Sequence, residues 1–188
     1  MGRENRVYIA GPDVFYVDSE SRLKETHRLL EAQGLEGVSP EEGGGVRGHG
    51  REEGVRLYEC NVKRLRSCGW VLANLSAFRG GSEPDSGTCV EVGIALALGL
   101  GVVGYCEGWS GESWGDRVRA AHGMDESGVD REWGCVVEDF EGMGLNLMLG
   151  ASVALYGRKE EAVKELGRRL RSGEMCEMMG SLTNCKGA

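Results

Sequence analysis

Trp70-Val71-Leu72-Ala73-Asn74-Leu75 is an almost unbroken apolar run. A strand with one wet face alternates apolar and polar residues, so a run like this reads as a strand buried on both faces. A polar loop over residues 76–87 follows, then an apolar helix over 88–98 and a second buried strand over 102–106. Strand, helix and strand in this order form a parallel crossover unit. Towards the N-terminus, residues 7–10 make a short apolar strand stopped by Gly11-Pro12, and 35–39 make a second brief one. Residues 19–33 read as a helix, with Leu23 and Leu30 on one face, Leu29 beside them and Gly34 as the stop. Residues 55–67 read as another, with Val55, Tyr58, Val62 and Leu65 on one side. Towards the C-terminus, 107–133 is polar and glycine-rich with no clear period, 135–137 reads as a final strand, and 145–149 starts a helical segment. Residues 160–170 form an amphipathic helix with Val163, Leu166 and Leu170 inward. The pattern predicts an α/β protein: a flavodoxin-like three-layer fold with a five-stranded parallel sheet. One domain is expected over residues 1–172, with a flexible tail over 173–188 and a mobile loop over 41–54, where six glycines fall.

The chain has 188 residues and a net charge of −8. A domain of this size buries enough core to fold without disulfides or a metal. The acidic balance argues against a nucleic-acid partner and against an anionic membrane surface. Glycine is the outlier at 32 residues, but it is not periodic and proline numbers only 3, which excludes a collagen-like chain. A hydrophobic content of 40% with clear apolar runs excludes wholesale disorder. The seven cysteines include no CxxC pair, and His27, His49 and His122 lie far apart, so neither a disulfide framework nor a zinc site is indicated. Nothing at the N-terminus resembles a signal peptide and no apolar run is long enough to span a membrane, so the expected location is the cytoplasm.

In open parallel sheets ligands bind beyond the carboxyl ends of the strands. That rule selects three loops: 11–18, 76–87 and the segment from 107 onward. The densest chemistry is Pro84-Asp85-Ser86-Gly87-Thr88-Cys89-Val90-Glu91-Val92-Gly93. Gly87 permits a sharp turn and Gly93 a close approach of helix to sheet. Asp85 and Glu91 are two carboxylates at one strand-end cleft, a pair suited to acid and nucleophile acting on the same bond. The same residues also read as a capping box, with Thr88 at the cap, Glu91 reaching back to its amide and Asp85 favouring the helix N-terminus. Both readings stand on spacing alone.

The first loop carries Gly11, Pro12, Asp13 and Phe15 after Tyr8. It is not GxGxxG, and GxxxxGK[ST] occurs nowhere, so no mononucleotide phosphate cradle is indicated. Tyr8 and Phe15 also read as plain core aromatics, and Asp13 as a turn residue. Asn61, in the helix before the central strand, reads alone as a solvated or capping residue. Phe78-Arg79-Gly80-Gly81 reads as a segment folding over a ligand or as a solvated loop with an exposed aromatic. Asn146, inside Leu145-Asn146-Leu147-Met148-Leu149, needs a partner, locally or at an interface, because an unpaired polar group in an apolar run is costly. The cysteines read as small core residues rather than nucleophiles.

Taken together, several segments resemble the nucleoside 2-deoxyribosyltransferase family. They are Val7-Tyr8-Ile9-Ala10-Gly11-Pro12-Asp13-Val14-Phe15; Asn61 with Ser67-Cys68-Gly69-Trp70-Val71-Leu72-Ala73-Asn74-Leu75 and Phe78-Arg79-Gly80; Asp85-Ser86-Gly87-Thr88 through Glu91 and Gly93; and Asp139-Phe140 with Leu145-Asn146-Leu147-Met148. They occur in the family's order across roughly residues 6–150. The resemblance implies a flavodoxin-like fold and exchange of purine or pyrimidine bases on 2′-deoxyribose, with a deoxynucleoside and a free nucleobase as substrates and no cofactor. It implies that Glu91 is the nucleophile that forms a covalent deoxyribosyl intermediate. Asp85 would handle protons on the bases, Tyr8 would hold the Glu91 carboxylate and Phe15 would pack on the base. Asn61 would lie near the sugar, and Asn146 would reach a neighbouring subunit's site in a homo-oligomer. Gly11, Pro12, Asp13, Phe78 and Gly87 fall in the same substrate-binding segments. One position departs: Gly69 stands where many relatives carry an aspartate, which bears on stability more than on activity.

The chemistry is consistent with this reading. A glycosidic carbon becomes oxocarbenium-like in its transition state, and a carboxylate beside it both stabilises and traps that charge. The base leaves more readily once protonated, which calls for a second carboxyl of raised pKa, a shift that an anionic neighbour six residues away can supply. Two rivals stand beside base exchange. One is a 2′-deoxynucleoside 5′-phosphate N-glycoside hydrolase, disfavoured because Asp13 in the first loop would repel a phosphate. The other is a catalytically silent nucleoside-binding module.

Overall fold

The structure, a computed structural model, describes residues 2–40 and 50–173. Most of the expected loop over 41–54 and all but the first residue of the expected tail lie outside the described residues.

The strands are β1 (Arg6–Ala10), β2 (Glu36–Val38), β3 (Trp70–Asn74), β4 (Gly101–Tyr105) and β5 (Ala154–Tyr156). They form one sheet in the order β2-β1-β3-β4-β5, and every pairing is parallel. The helices are α1 (Ser19–Glu31), α2 (Arg51–Arg66), α3 (Ser86–Ala97), α4 (Trp114–His122), α5 (Leu147–Gly150) and α6 (Lys159–Ser172). This is the expected three-layer α/β arrangement. Every residue of β3 and β4 is buried, because helices cover the sheet on both sides.

Alternation along the strands sends side chains into two cores. Tyr8, Ala10, Val71, Ala73 and Val102 pack on one face with Leu65 of α2 and with Val92 and Ala95 of α3. Val7, Ile9, Leu72, Val103 and Tyr105 pack on the other with Leu30 of α1 and with Val163 and Leu166 of α6. The register places Tyr8 beside Val71 and Asn74 beside Tyr105. All strands run the same way, so the ends of β1, β3 and β4 open into the three loops picked out by the sequence.

Four expectations are corrected. Residues 135–137 do not join the sheet. Val136 makes only an isolated bridge to Val129 and is exposed, and the fifth strand is β5. Inside the polar segment 107–133 lies α4, whose N-cap Ser113 accepts from the Asp116 amide. Helix α2 begins at Arg51, so residues 51–54 are helix rather than loop. Val55 and Tyr58, expected inward, are exposed on α2, and only Leu65 of that set is fully buried.

Candidate active site

Tyr8 lies near the middle of β1 and is fully buried, yet its hydroxyl is not idle. It donates to Glu91 Oε1 at 2.6 Å. Glu91 projects from the second turn of α3 and is half-buried. Burial pushes its carboxyl up to about 7; the Tyr8 hydrogen bond opposes the rise and the nearby Asp85 charge adds to it. Burial, the Glu91 charge and the hydrogen bond to Glu91 push the Tyr8 hydroxyl far above the ordinary phenol range, so it acts as a donor.

Asp85, not Thr88, is the N-cap of α3. Its Oδ2 accepts from the Thr88 amide at 2.9 Å and from Thr88 Oγ1 at 3.1 Å. The helix starts at Ser86, and Thr88 is buried in its first turn. The capping-box reading of Thr88 and Glu91 is thereby corrected: the cap belongs to Asp85, and Glu91 turns to Tyr8. Gly87 belongs to this cap. A Cβ there would lie 3.0 Å from Asp85 Oδ2, so glycine leaves the carboxylate room to fold back. Gly93 has no such role, since a Cβ there would meet nothing within 4 Å.

The first loop folds as a 3-10 turn over Pro12–Phe15, with Pro12 and Asp13 buried. A Cβ on Gly11 would lie 2.8 Å from Asn74 Cβ, so the loop crosses the end of β3 only with glycine there. Asp13 is 4% exposed; its Oδ2 accepts from Asn74 Nδ2 at 2.8 Å, and Arg22 stands 3.7 Å from its Oδ1. Phe15 is 43% exposed, which corrects its reading as a core aromatic. It stacks on Phe78 of the second loop with ring centroids 5.8 Å apart, and Tyr16 meets the same Phe78 edge-on at 6.1 Å. Arg79 lies over both Phe15 and Phe78 and adopts a left-handed backbone, φ 53°. Sequence reasoning gave Asn74 and Tyr16 no role and set Arg79 only in a loop that could fold over a ligand; a buried asparagine at a strand end was the one signal that could have flagged the first.

Asn61 is half-buried on α2, on the sheet face that also carries Tyr8 and Glu91. Asn146 is the N-cap of the short α5, accepting from the Leu149 amide at 3.2 Å, and Glu83 of the 76–87 loop lies beside it. The partner it needs is thus found within its own chain.

A half-buried carboxylate of high proton affinity, clamped by a phenol, sits one helical turn and a half from a second carboxylate, with an aromatic pair on the loops above the strand ends. Over residues 7–148 the sequence matches the family model described as nucleoside 2-deoxyribosyltransferase. The chain belongs to that family. It is a glycosyltransferase acting on N-glycosidic bonds. Among solved structures it is similar to a 2-desoxiribosyltransferase from Leishmania mexicana, at 26% identity and a TM-score of 0.68, covering 87% of this chain and 97% of that one. A conserved protein from Enterococcus faecalis V583 shares the fold, at 15% identity and a TM-score of 0.54, with 88% and 99% covered. An uncharacterized protein of Schizosaccharomyces pombe is 26% identical over 88% of this chain and 90% of its own length.

In this deoxyribosyltransferase-family chain the N-terminal turn fills the space beside Gly69. A Cβ there would lie 2.9 Å from the Arg3 carbonyl oxygen and 3.0 Å from Glu4 Cα. The N-terminal 3-10 turn, Arg3–Asn5, packs on the space that an aspartate would fill. Arg3 Nε further donates to the Cys68 carbonyl at 2.8 Å and fixes the turn there.

Proposed function

We propose that the protein exchanges purine and pyrimidine bases on 2′-deoxyribose through a deoxyribosyl ester on Glu91. The observation that carries this reading is the Tyr8–Glu91 hydrogen bond. It holds Oε1, leaves Oε2 for attack, and sits where burial raises the carboxyl to about 7. In the first half-reaction Oε2 bonds to C1′ as the C1′–N bond breaks, and Asp85, which takes up a proton from solvent as the substrate binds, passes it to the departing base. In the second, a nitrogen of the incoming base bonds to C1′ and gives its proton to Asp85, and the ester bond to Glu91 breaks. Charges balance over the cycle, with no metal or redox group taking part.

Phe15 and Phe78 supply flat apolar faces for the bases. Gly11 and Pro12 form the floor of the first loop, Asn61 faces the sugar, and Gly87 keeps the Asp85 carboxylate in its folded-back position. The acting form is a homo-oligomer in the cytoplasm, in which Asn146 and the exposed Leu147 and Met148 meet a neighbouring site. Neither nucleic acid nor a membrane is a partner of so acidic a chain. Asp13 is buried between Asn74 and Arg22, so it does not decide between exchange and hydrolysis of a 5′-phosphorylated substrate; the assay does.

The test is incubation with a 2′-deoxynucleoside and a second free base. A new deoxynucleoside, with deoxyribose found on the Glu91 peptide by mass spectrometry after quenching, is the expected result. Glu91→Ala should lose at least about 10³ in rate. Deoxyribose phosphate released only from a 5′-nucleotide would overturn the reading in favour of a hydrolase, and binding without turnover would overturn it in favour of a silent module.

A further inference from the structure

We infer that Asn74 is a positioning residue of the base-binding wall, acting through a buried pair with Asp13; the inference rests on the base-exchange reading above. Asn74 is the last residue of β3 and 8% exposed. It points away from the Tyr8–Glu91 side, because residues alternate along the strand and Leu72 lies in the opposite core. Both ends of its amide are engaged. Nδ2 donates to Asp13 Oδ2 at 2.8 Å, and Oδ1 accepts from the Ser76 amide at 3.2 Å.

Those two bonds join the two loops that carry the stacked rings. Asp13 lies two residues before Phe15, inside the same 3-10 turn, and Ser76 lies two residues before Phe78. Asn74 is therefore a crosslink that sets the spacing of Phe15 and Phe78. The link continues outward: Ser76 Oγ accepts from the Glu107 amide at 3.0 Å, and Glu107 Oε1 from the Lys159 amide at 3.2 Å, so the loops after β1, β3 and β4 share one chain of bonds. Asp13 can do little at the substrate itself, being buried and occupied, so its part is to anchor the loop. A buried polar pair of this kind matters because removing one partner leaves the other unsatisfied.

The pair permits a swap. Asn74→Asp removes the donor and sets two carboxylates against each other. Adding Asp13→Asn restores the pair with its polarity reversed: Asn at 13 donates to Asp at 74, whose other oxygen still accepts from Ser76. Wild-type exchange that is lost in Glu91→Ala first establishes the reaction. If that exchange is absent, it is the reaction reading that falls, and hydrogen exchange of residues 11–18 and 76–80 still tests the crosslink. In Asn74→Asp the KM for the deoxynucleoside should rise by about tenfold or more with kcat changed less, and both segments should exchange faster. The double swap should recover most of the KM and the protection. A KM unchanged in Asn74→Asp, or a folded swap no better than the single variant, would overturn the inference. Should Asn74→Asp fail to fold, the swap decides by itself. A folded swap with KM within about threefold of wild type supports the crosslink, and one with KM raised tenfold refutes it.

Discussion

The Tyr8 hydroxyl and the Glu91 carboxylate meet at 2.6 Å although 83 residues separate them in the chain. The contact needs both β1 in the sheet interior and α3 laid across that face, so it exists only in the finished fold. It also divides the work on Glu91. Burial raises its proton affinity, and the phenol partly restores the charged form that can attack carbon.

Tyr8→Phe should therefore move the acid limb of the pH–rate profile. The nucleophile must be ionised, so kcat/KM rises with pH as the Glu91 carboxyl, held up at about 7, loses its proton. Without the hydrogen bond that favours the charged form, that loss needs higher pH. The limb should shift alkaline, with the plateau reached later. A profile that stays in place, or moves to acid, would contradict the assignment.

The same carboxyl makes stability depend on pH. Unfolded, Glu91 releases its proton near 4.5; folded, it holds it to about 7. Between those values the folded state binds more protons, so stability falls as pH rises through the window and stays lower above it. The difference corresponds to about 3 kcal/mol. Glu91→Gln keeps an acceptor for Tyr8 but never ionises. It should match wild type in denaturant melts at pH 4 and exceed it by up to about 3 kcal/mol at pH 8. Equal stability at both pH values would refute the burial argument.

Asp85 holds two duties that substitution can separate. Asp85→Asn keeps a side-chain oxygen for the Thr88 amide and removes the acid, so base departure should slow by at least about 10² with stability nearly unchanged. Asp85→Ala removes both and should cost about 1 kcal/mol of stability besides. Thermal melts beside single-turnover release of the base distinguish the two.

How far the sequence discloses this arrangement depends on what each residue's neighbours are. The interiors of β1, β3 and β4 are legible because strands covered on both faces must be apolar throughout. Strand β5 escapes notice because it has three residues at a sheet edge, all only half-buried, so selection for apolar character is weak there. Val136 misleads for the converse reason, being β-branched yet solvent-facing. Asp85 and Thr88 are both good caps three residues apart, and only the fold decides which one turns back on the helix. The Asn74–Asp13 bond joins two strand ends 61 residues apart, and no local spacing encodes it.

Phe78 offers its ring to Phe15 from a loop that is itself closed by the Phe78 amide donating to the Glu83 carbonyl at 3.1 Å. Phe78→Ala should leave that backbone bond in place and remove one wall of the base site. An aromatic pair contributes about 0.5–1.5 kcal/mol, so KM for the deoxynucleoside should rise by about two- to tenfold with kcat less affected. Steady-state kinetics with a purine and a pyrimidine substrate check this. An unchanged KM for both would remove Phe78 from the base wall.

At Gly69 the aspartate that the resemblance implies should do harm. Restoring an aspartate is, by resemblance alone, a stabilising change. The geometry argues the reverse, because a Cβ would meet the backbone of Arg3 and Glu4, and backbone cannot swing aside as a side-chain tip can. The same glycine donates its amide to the Arg6 carbonyl and accepts from the Gly101 amide, so it cannot retreat without loosening both bonds. Gly69→Ala should therefore destabilise by about 1–3 kcal/mol, the range for overpacking a filled site. Gly69→Asp should destabilise at least as much, with kcat/KM of the folded fraction unchanged. Chemical denaturation of both variants tests this, and an aspartate variant more stable than wild type would show that the N-terminal turn does not pack against Gly69.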